Sequence, residues 1–292
     1  MLKNIKSKWI LKIIFDEIKS KIKLKIIKHN RNIQDKLNIE KKDYEDYLIL
    51  KILNQNFNLN IKDFDIKRLD LNVKNRANEM LEYLNKIEFK YLKELYIDRI
   101  SKISDLKILE NIKCNNLQLL NLNYNIIPDI SVLEKVNFKD LKILYLESIK
   151  ISNIKALENV KFEKLELLDL SHNYISDISA LEKVNFKKLK ELDLYFNRIS
   201  DINVLEKVNF KELEILNICG NEISDINALS KVDFKDLKIL NLNNNRISNI
   251  QVLNCVKLYK LEELYLSFNQ INKGENSELI EKLKNALKKF GC

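Results

Sequence analysis

Apolar residues return in one fixed order along most of the chain. Between positions 189 and 199 the order is Leu189, Leu192, Leu194, Asn197, Ile199, or L-x-x-L-x-L-x-x-N-x-I. It restarts every 24 residues, at Leu117, Leu141, Leu165, Leu189, Leu213 and Leu237, with a truncated copy at Leu261. Two leucines separated by one residue, as in Leu192-Asp193-Leu194, predict a short strand with both leucines inward and Asp193 outward. Ile199, Ile202, Leu205, Val208 and Phe210 follow, mostly three apart, which suits a 3₁₀ or short α turn. One such unit cannot bury its apolar side alone, but a stack of units can. Strands stack about 4.8 Å apart and the bulkier turn layer needs more room, so the stack is expected to curve with its strands on the concave side.

The pattern begins near Ile66, where Ile66, Leu69 and Leu71 fit the strand motif, and the rest of that copy is irregular (Met80, Leu81, Leu84, Ile87, Phe89). The copy from Leu92 is one residue longer, and the repeat stops at Ile271. Ser277–Phe290 then predicts an amphipathic helix, with Leu279, Ile280, Leu283, Leu287 and Phe290 on one face and Gly291 as its stop. Its apolar face is expected to seal the last unit. Ahead of the repeats, Trp9, Ile10, Ile13, Ile14 and Ile18 recur near helical spacing, and Asp43 can cap a helix carrying Tyr47, Leu48, Ile52 and Leu53. The expected division is 1–60, a basic helical segment; 66–272, the repeats; and 273–292, a capping helix.

An asparagine stands where each strand must turn: Asn125, Asn173, Asn197, Asn221, Asn245 and Asn269. Turned inward, its amide can pair backbone groups that the broken ladder leaves open. Ile100 and Ile149 hold this position in two copies, where local irregularity or a shifted backbone is expected.

These residues identify a resemblance to the leucine-rich repeat proteins, close to the intracellular phosphatase-regulator and bacterial internalin subclass, whose units carry N-x-I-x-D-I. It covers about 66–272. It implies an α/β solenoid: a curved horseshoe with a parallel concave sheet, short 3₁₀ or α turns on the convex side, and helical caps at both ends. It also implies protein recognition on the concave face, without catalysis. The segment with Ile10, Leu11, Ile14, Phe15, Ile18, Leu24, Ile27 and Leu37 resembles an F-box, although no Leu-Pro opens it and no late Trp closes it. That resemblance implies a ubiquitin-ligase adaptor at the N-terminus and substrate-receptor function. A plain helical cap and contact with a membrane surface stay open beside it, the membrane as the minor reading.

The strand register fixes which residues face outward. Among them Tyr96, Tyr124, Tyr145, Tyr195, Phe196, Tyr265 and Phe268 are aromatic, and Glu94, Asp98, Glu147, Asp169, Glu191, Asp193 and Glu263 are acidic. From Glu94 onward Arg99 is the one firm base among them. Asn123, Ser171, His172, Cys219 and Gly220 also fall at outward positions, as do the aliphatics Leu119, Ile143, Leu167, Ile215 and Ile239. An acidic, aromatic-rich face suits a protein or peptide partner of basic character, centred on Tyr145, Asp169, Asp193, Tyr195 and Phe196 with Glu147, His172 and Glu191 alongside. It repels phosphate, which argues against nucleic acid there.

Composition changes this picture little. Apolar residues make up 46 % of the 292, ample for a core, and Gly 3 with Pro 1 speaks against long linkers. The net charge is +9, but residues 1–40 alone hold eleven Lys or Arg against four acids, so the repeats are close to neutral. Four scattered cysteines, Cys114, Cys219, Cys255 and Cys292, form no disulfide cluster, which points to a reducing, cytoplasmic setting. No apolar run reaches about 18 residues, the length of a membrane span. No phosphate loop, dinucleotide motif or His-Glu metal motif appears, so no cofactor or metal is expected. His172 and Cys219 lie two units apart, about 10 Å, too far for a nucleophile and its base. Asp177, Asp201 and Asp225 recur at one point of the turn, where Asp commonly bonds its own turn and a row of them could also hold calcium.

Overall fold

The computed structural model describes residues 49, 52–55, 67–71, 89, 91–99 and 106–292. The chain divides into two units, Met1–Ile61 and Lys62–Cys292. In the first, residues 52–55 are helical and Leu53 is fully buried. The helices expected over residues 1–40, their F-box-like pattern and their membrane contact lie outside the described residues, as do Met80, Ile87 and Ile100.

The second unit is a parallel sheet of short strands in chain order. The strands are β1 Arg68–Asp70, β2 Glu94–Tyr96, β3 Leu119–Asn121, β4 Ile143–Tyr145 and β5 Leu167–Asp169. They continue as β6 Glu191–Asp193, β7 Ile215–Asn217, β8 Ile239–Asn241, β9 Glu263–Tyr265 and β10 Lys289–Gly291. From β3 to β9 the partners sit 24 residues apart, so Leu144, Leu168, Leu192, Leu216 and Leu240 form one straight row. Each central leucine is buried and its two neighbours are half-buried, the alternation of a sheet with one covered face.

The return path of each unit is a 3₁₀ turn, such as Ser179–Glu182, Asn203–Glu206 and Asn227–Ser230. The residue two places before each turn shapes its start. Asp177, Asp201 and Asp225 each accept the N–H two residues on, at 2.8 Å, and so close an Asx turn. The recurring aspartates are therefore turn formers. Among the described residues no group of His, Cys, Asp or Glu gathers to hold a metal ion. Behind the turns, Phe138, Phe162, Phe186, Phe210 and Phe234 are buried at equivalent places in successive units.

Cys114 takes that phenylalanine position one unit earlier and is 1 % exposed. Burial pushes its thiol up to about 12. Cys255, in contrast, is exposed. A maleimide is therefore expected to label Cys255 in the native protein and Cys114 only on unfolding. Labelling of Cys114 at the rate of Cys255, read by mass spectrometry of tryptic fragments, would contradict this packing.

The carboxyl-terminal end corrects the sequence expectation. The helix, α1, runs only over Ser277–Ala286, with Leu279 and Ile280 buried. At Leu287 the backbone turns extended, and Lys289–Gly291 joins β9 as a parallel strand. Gly291 is not a helix stop: its carbonyl accepts the N–H of Leu266 at 2.5 Å. The bare edge of β9 offers unpaired backbone groups, and pairing them outweighs one more helical turn.

Candidate functional site

The sheet face is built from three rows running across the strands. The first row, from the opening residue of each strand, reads Arg68, Glu94, Leu119, Ile143, Leu167, Glu191, Ile215, Ile239, Glu263, Lys289. The second row, from the closing residues, includes Tyr96, Asn121, Tyr145, Asp169, Asp193, Asn217, Asn241 and Tyr265. A third row just past the strand ends carries Arg99, Tyr124, Ser148, His172, Phe196, Gly220, Asn244 and Phe268, all with positive φ. Their amides still bond across units, as Tyr124 to the Glu147 carbonyl, His172 to that of Tyr195 and Phe196 to that of Cys219.

The asparagines hold these rows in register. Asn197 donates from Nδ2 to the carbonyls of Leu170 and Leu194, at 3.0 and 3.1 Å. Its Oδ1 accepts the Ile175 N–H at 3.0 Å. Asn221, Asn245 and Asn269 repeat all three bonds one unit further each time. Asn173 donates to Leu146 and Leu170, and Asn125 to Ile97 and Leu122. Ile149 has no amide to offer. There the Ile149 carbonyl accepts the Ile127 N–H at 2.9 Å, and the next residue, Lys150, has φ 68°. The backbone supplies the missing acceptor by reorienting, which is the irregularity expected at that unit.

Charge on the face is uneven. At one end Arg68 pairs Glu94 at 3.5 Å and lies 4.0 Å from the centre of the Tyr96 ring. At the other Lys289 pairs Glu263 at 2.8 Å, and the Tyr265 hydroxyl donates to the same carboxylate. The flanks carry lysine–carboxylate pairs between units, such as Lys183–Glu158 and Lys142–Glu166. In the middle, Asp169, Glu191 and Asp193 stand on adjacent strands, and among the described residues no lysine or arginine pairs with them. Burial raises the carboxyl pKa of Asp193, and Asp169 adds to it, against the opposing bonds from the Tyr195 N–H and the Asn217 amide. Burial also raises that of Glu191, helped by Asp193 and Asp169. Glu147 completes the group, accepting the Tyr124 hydroxyl at 2.6 Å and the Asn123 amide at 3.2 Å.

Beside these acids lies an aromatic cluster. His172 stacks on Phe196 at 5.2 Å and meets Tyr195 edge-on at 4.9 Å. Phe196 is half exposed. Its ring spreads over Gly220, where a Cβ would stand 2.8 Å from Phe196 Cδ2.

The structure thus brings Tyr145, Glu147, Asp169, His172, Glu191, Asp193, Tyr195 and Phe196 onto neighbouring units, β4 to β6. Tyr96 and Tyr265 sit towards opposite ends with their own ion pairs, and Phe268 stands 80 % exposed beyond β9. Three residues expected outward are buried instead: Asn123, Ser171 and Cys219. Asn123 is covered by Glu147, and the small Ser171 and Cys219 each sit between larger side chains at the same place in adjacent units. Sequence reasoning also missed the bases Arg68 and Lys289. The Leu69 pattern already places Arg68 outward, whereas the apolar spacing around Lys289 reads as helix. Gly220 gave a fainter signal, as one of three glycines in the chain.

Leucine-rich-repeat family models match residues 141–160, 163–207, 211–271 and 260–283. The chain is a leucine-rich repeat protein. Its fold is similar to that of internalin C2 of Listeria monocytogenes, with 27 % identity, a TM-score of 0.57, and coverage of 70 % of this chain and 82 % of that one. A leucine-rich repeat protein of Leptospira interrogans shares the fold at 20 % identity and a TM-score of 0.58, covering 71 % of this chain and 56 % of that one. Among curated proteins none matches. No helix among the described residues of this leucine-rich repeat protein is long and apolar enough to cross a membrane.

Proposed function

We propose that the sheet face around β4–β7 binds a protein or peptide partner of basic character, and that this recognition, without catalysis, is the function of the repeats. One observation carries the reading: Asp169, Glu191 and Asp193 lie together with no basic partner among the described residues, while Glu94 and Glu263, towards the two ends of the row that holds Glu191, are paired with Arg68 and Lys289. Partly buried carboxylates side by side disfavour their own ionised forms. A cation brought by a partner relieves that cost, so the free face is less favourable than the bound one. His172, Tyr195 and Phe196 add broad aromatic area beside the charge, the composition of interface anchors. A phosphate backbone would meet repulsion on the same surface, which leaves nucleic acid out of this reading.

The test uses the full chain and a fluorescein-labelled lysine- and arginine-rich peptide. Asp169→Lys with Asp193→Lys is expected to weaken binding by at least about tenfold at ~0.15 M salt, through lost attraction and new repulsion. Unchanged affinity would overturn the reading.

A further inference from the structure

We propose that the bound segment is a basic amphipathic α-helix lying across the strands, along the rows of the face. This rests on the partner-binding reading above and names the shape and chemistry of the partner. The first row is largely apolar: Leu119, Ile143, Leu167, Ile215 and Ile239, each half-buried, with no second sheet over them among the described residues. Glu191 interrupts it at its centre. The second row runs parallel to the first, two residues away along each strand, or about 6.6 Å. It holds Asp169 and Asp193 on adjacent strands and continues with the amides of Asn217 and Asn241.

Two parallel rows of unlike chemistry select the ligand's conformation. An extended strand turns alternate side chains to opposite sides and so shows a surface only one row. A helix shows an apolar stripe with a polar stripe beside it. Spacing agrees as well. Successive helix turns rise about 5.4 Å, close to the ~4.8 Å between strands, so turns and strands stay nearly in step. Lysines or arginines three or four apart, whose Cβ atoms are about 5–6 Å from each other, match Asp169 and Asp193 one strand apart. The apolar row spans five strand intervals, about 24 Å, which is roughly 16 residues of helix. A further base at the middle of the helix would meet Glu191.

The experiment compares two labelled peptides of about 18 residues with identical lysine, leucine and alanine content. One places leucine at helical spacing and the other alternates leucine with lysine. Binding to the full chain is read by fluorescence anisotropy, and peptide conformation by circular dichroism. The helical peptide is expected to bind at least about tenfold tighter and to gain helix on binding. Its affinity is expected to fall with Leu167→Asn plus Ile215→Asn, and with the shape-preserving pair Asp169→Asn plus Asp193→Asn. Thermal melts establish that each variant is folded. If the alternating peptide binds as well or better and still depends on Asp169 and Asp193, the helix is overturned and the basic-partner reading stands. If neither peptide binds, or binding ignores the aspartates, both are overturned.

Discussion

Asn197→Ala is expected to destabilise the repeat unit by about 2–4 kcal/mol. The amide makes three buried bonds, to the carbonyls of Leu170 and Leu194 and from the N–H of Ile175. Both carbonyls keep a second donor, from Asn173 and Asn221. Ile175, fully buried, loses the acceptor of its N–H. An orphaned buried donor costs about 1–3 kcal/mol, and the two lost bonds, to carbonyls that each keep a second donor, add about 0.5 kcal/mol each, the low end for a net hydrogen bond. The Ile149 unit sets an upper limit on how far the chain can escape. There the backbone supplies the acceptor, but it needs a positive φ at Lys150 to do so. Urea denaturation measures the loss, and a change below about 0.5 kcal/mol would refute the role of the amide. Because repeat units contact mainly their neighbours, amide exchange should rise first around β5 to β7 rather than uniformly.

That bond pattern was legible in the sequence, for a physical reason. A 24-residue period with two apolar positions per strand admits one register, since a one-residue slip would turn Leu192 and Leu194 to solvent. An asparagine at the end of six of these strands then has one use. The carboxyl-terminal strand was not legible. Leu279, Ile280, Leu283, Leu287 and Phe290 satisfy helical spacing along their whole length, and local pattern holds no information about the open edge of β9. The same holds for charge on the face. Outward positions could be counted from the register, but the pairing of Glu94 with Arg68 and of Glu263 with Lys289 depends on both ends of the sheet. Counting acids showed a negative face. The structure places its unpaired charge on β5 and β6.

The backbone beneath the aromatic row was the least legible part. Tyr124, His172, Phe196 and Phe268 all have φ between 54° and 60° or close below, at 52° for Phe196, a region that bulky L-residues avoid. Propensity alone would put glycine or asparagine there, as at Gly220 and Asn244. The repeat imposes this backbone on every unit, so each aromatic is held in a conformation that costs about 1–2 kcal/mol on its own. Such strain persists where surrounding structure over-determines it, and it gathers at binding surfaces.

Gly220→Val is therefore expected to destabilise by about 1–2 kcal/mol or somewhat more, from two separable causes. The first is backbone strain, since φ at Gly220 is 69° and a β-branched residue pays about 1–2 kcal/mol or more there. The second is steric: the new Cβ falls 2.8 Å from Phe196 Cδ2, so the half-exposed ring must shift, at a cost smaller than the backbone strain. Gly220→Asn distinguishes them. Asparagine tolerates the left-handed region, as Asn244 does one unit on, but its Cβ meets Phe196 just as valine's would. The difference between the two variants measures strain, and the loss shared by both measures the clash. Moving the Phe196 ring off Gly220 alters its stack on His172, so both variants should also weaken binding of a basic peptide. Thermal melts and peptide titrations on the same preparations decide the matter. If Gly220→Asn keeps wild-type stability and affinity, Phe196 moves freely and is not a fixed part of the proposed binding face.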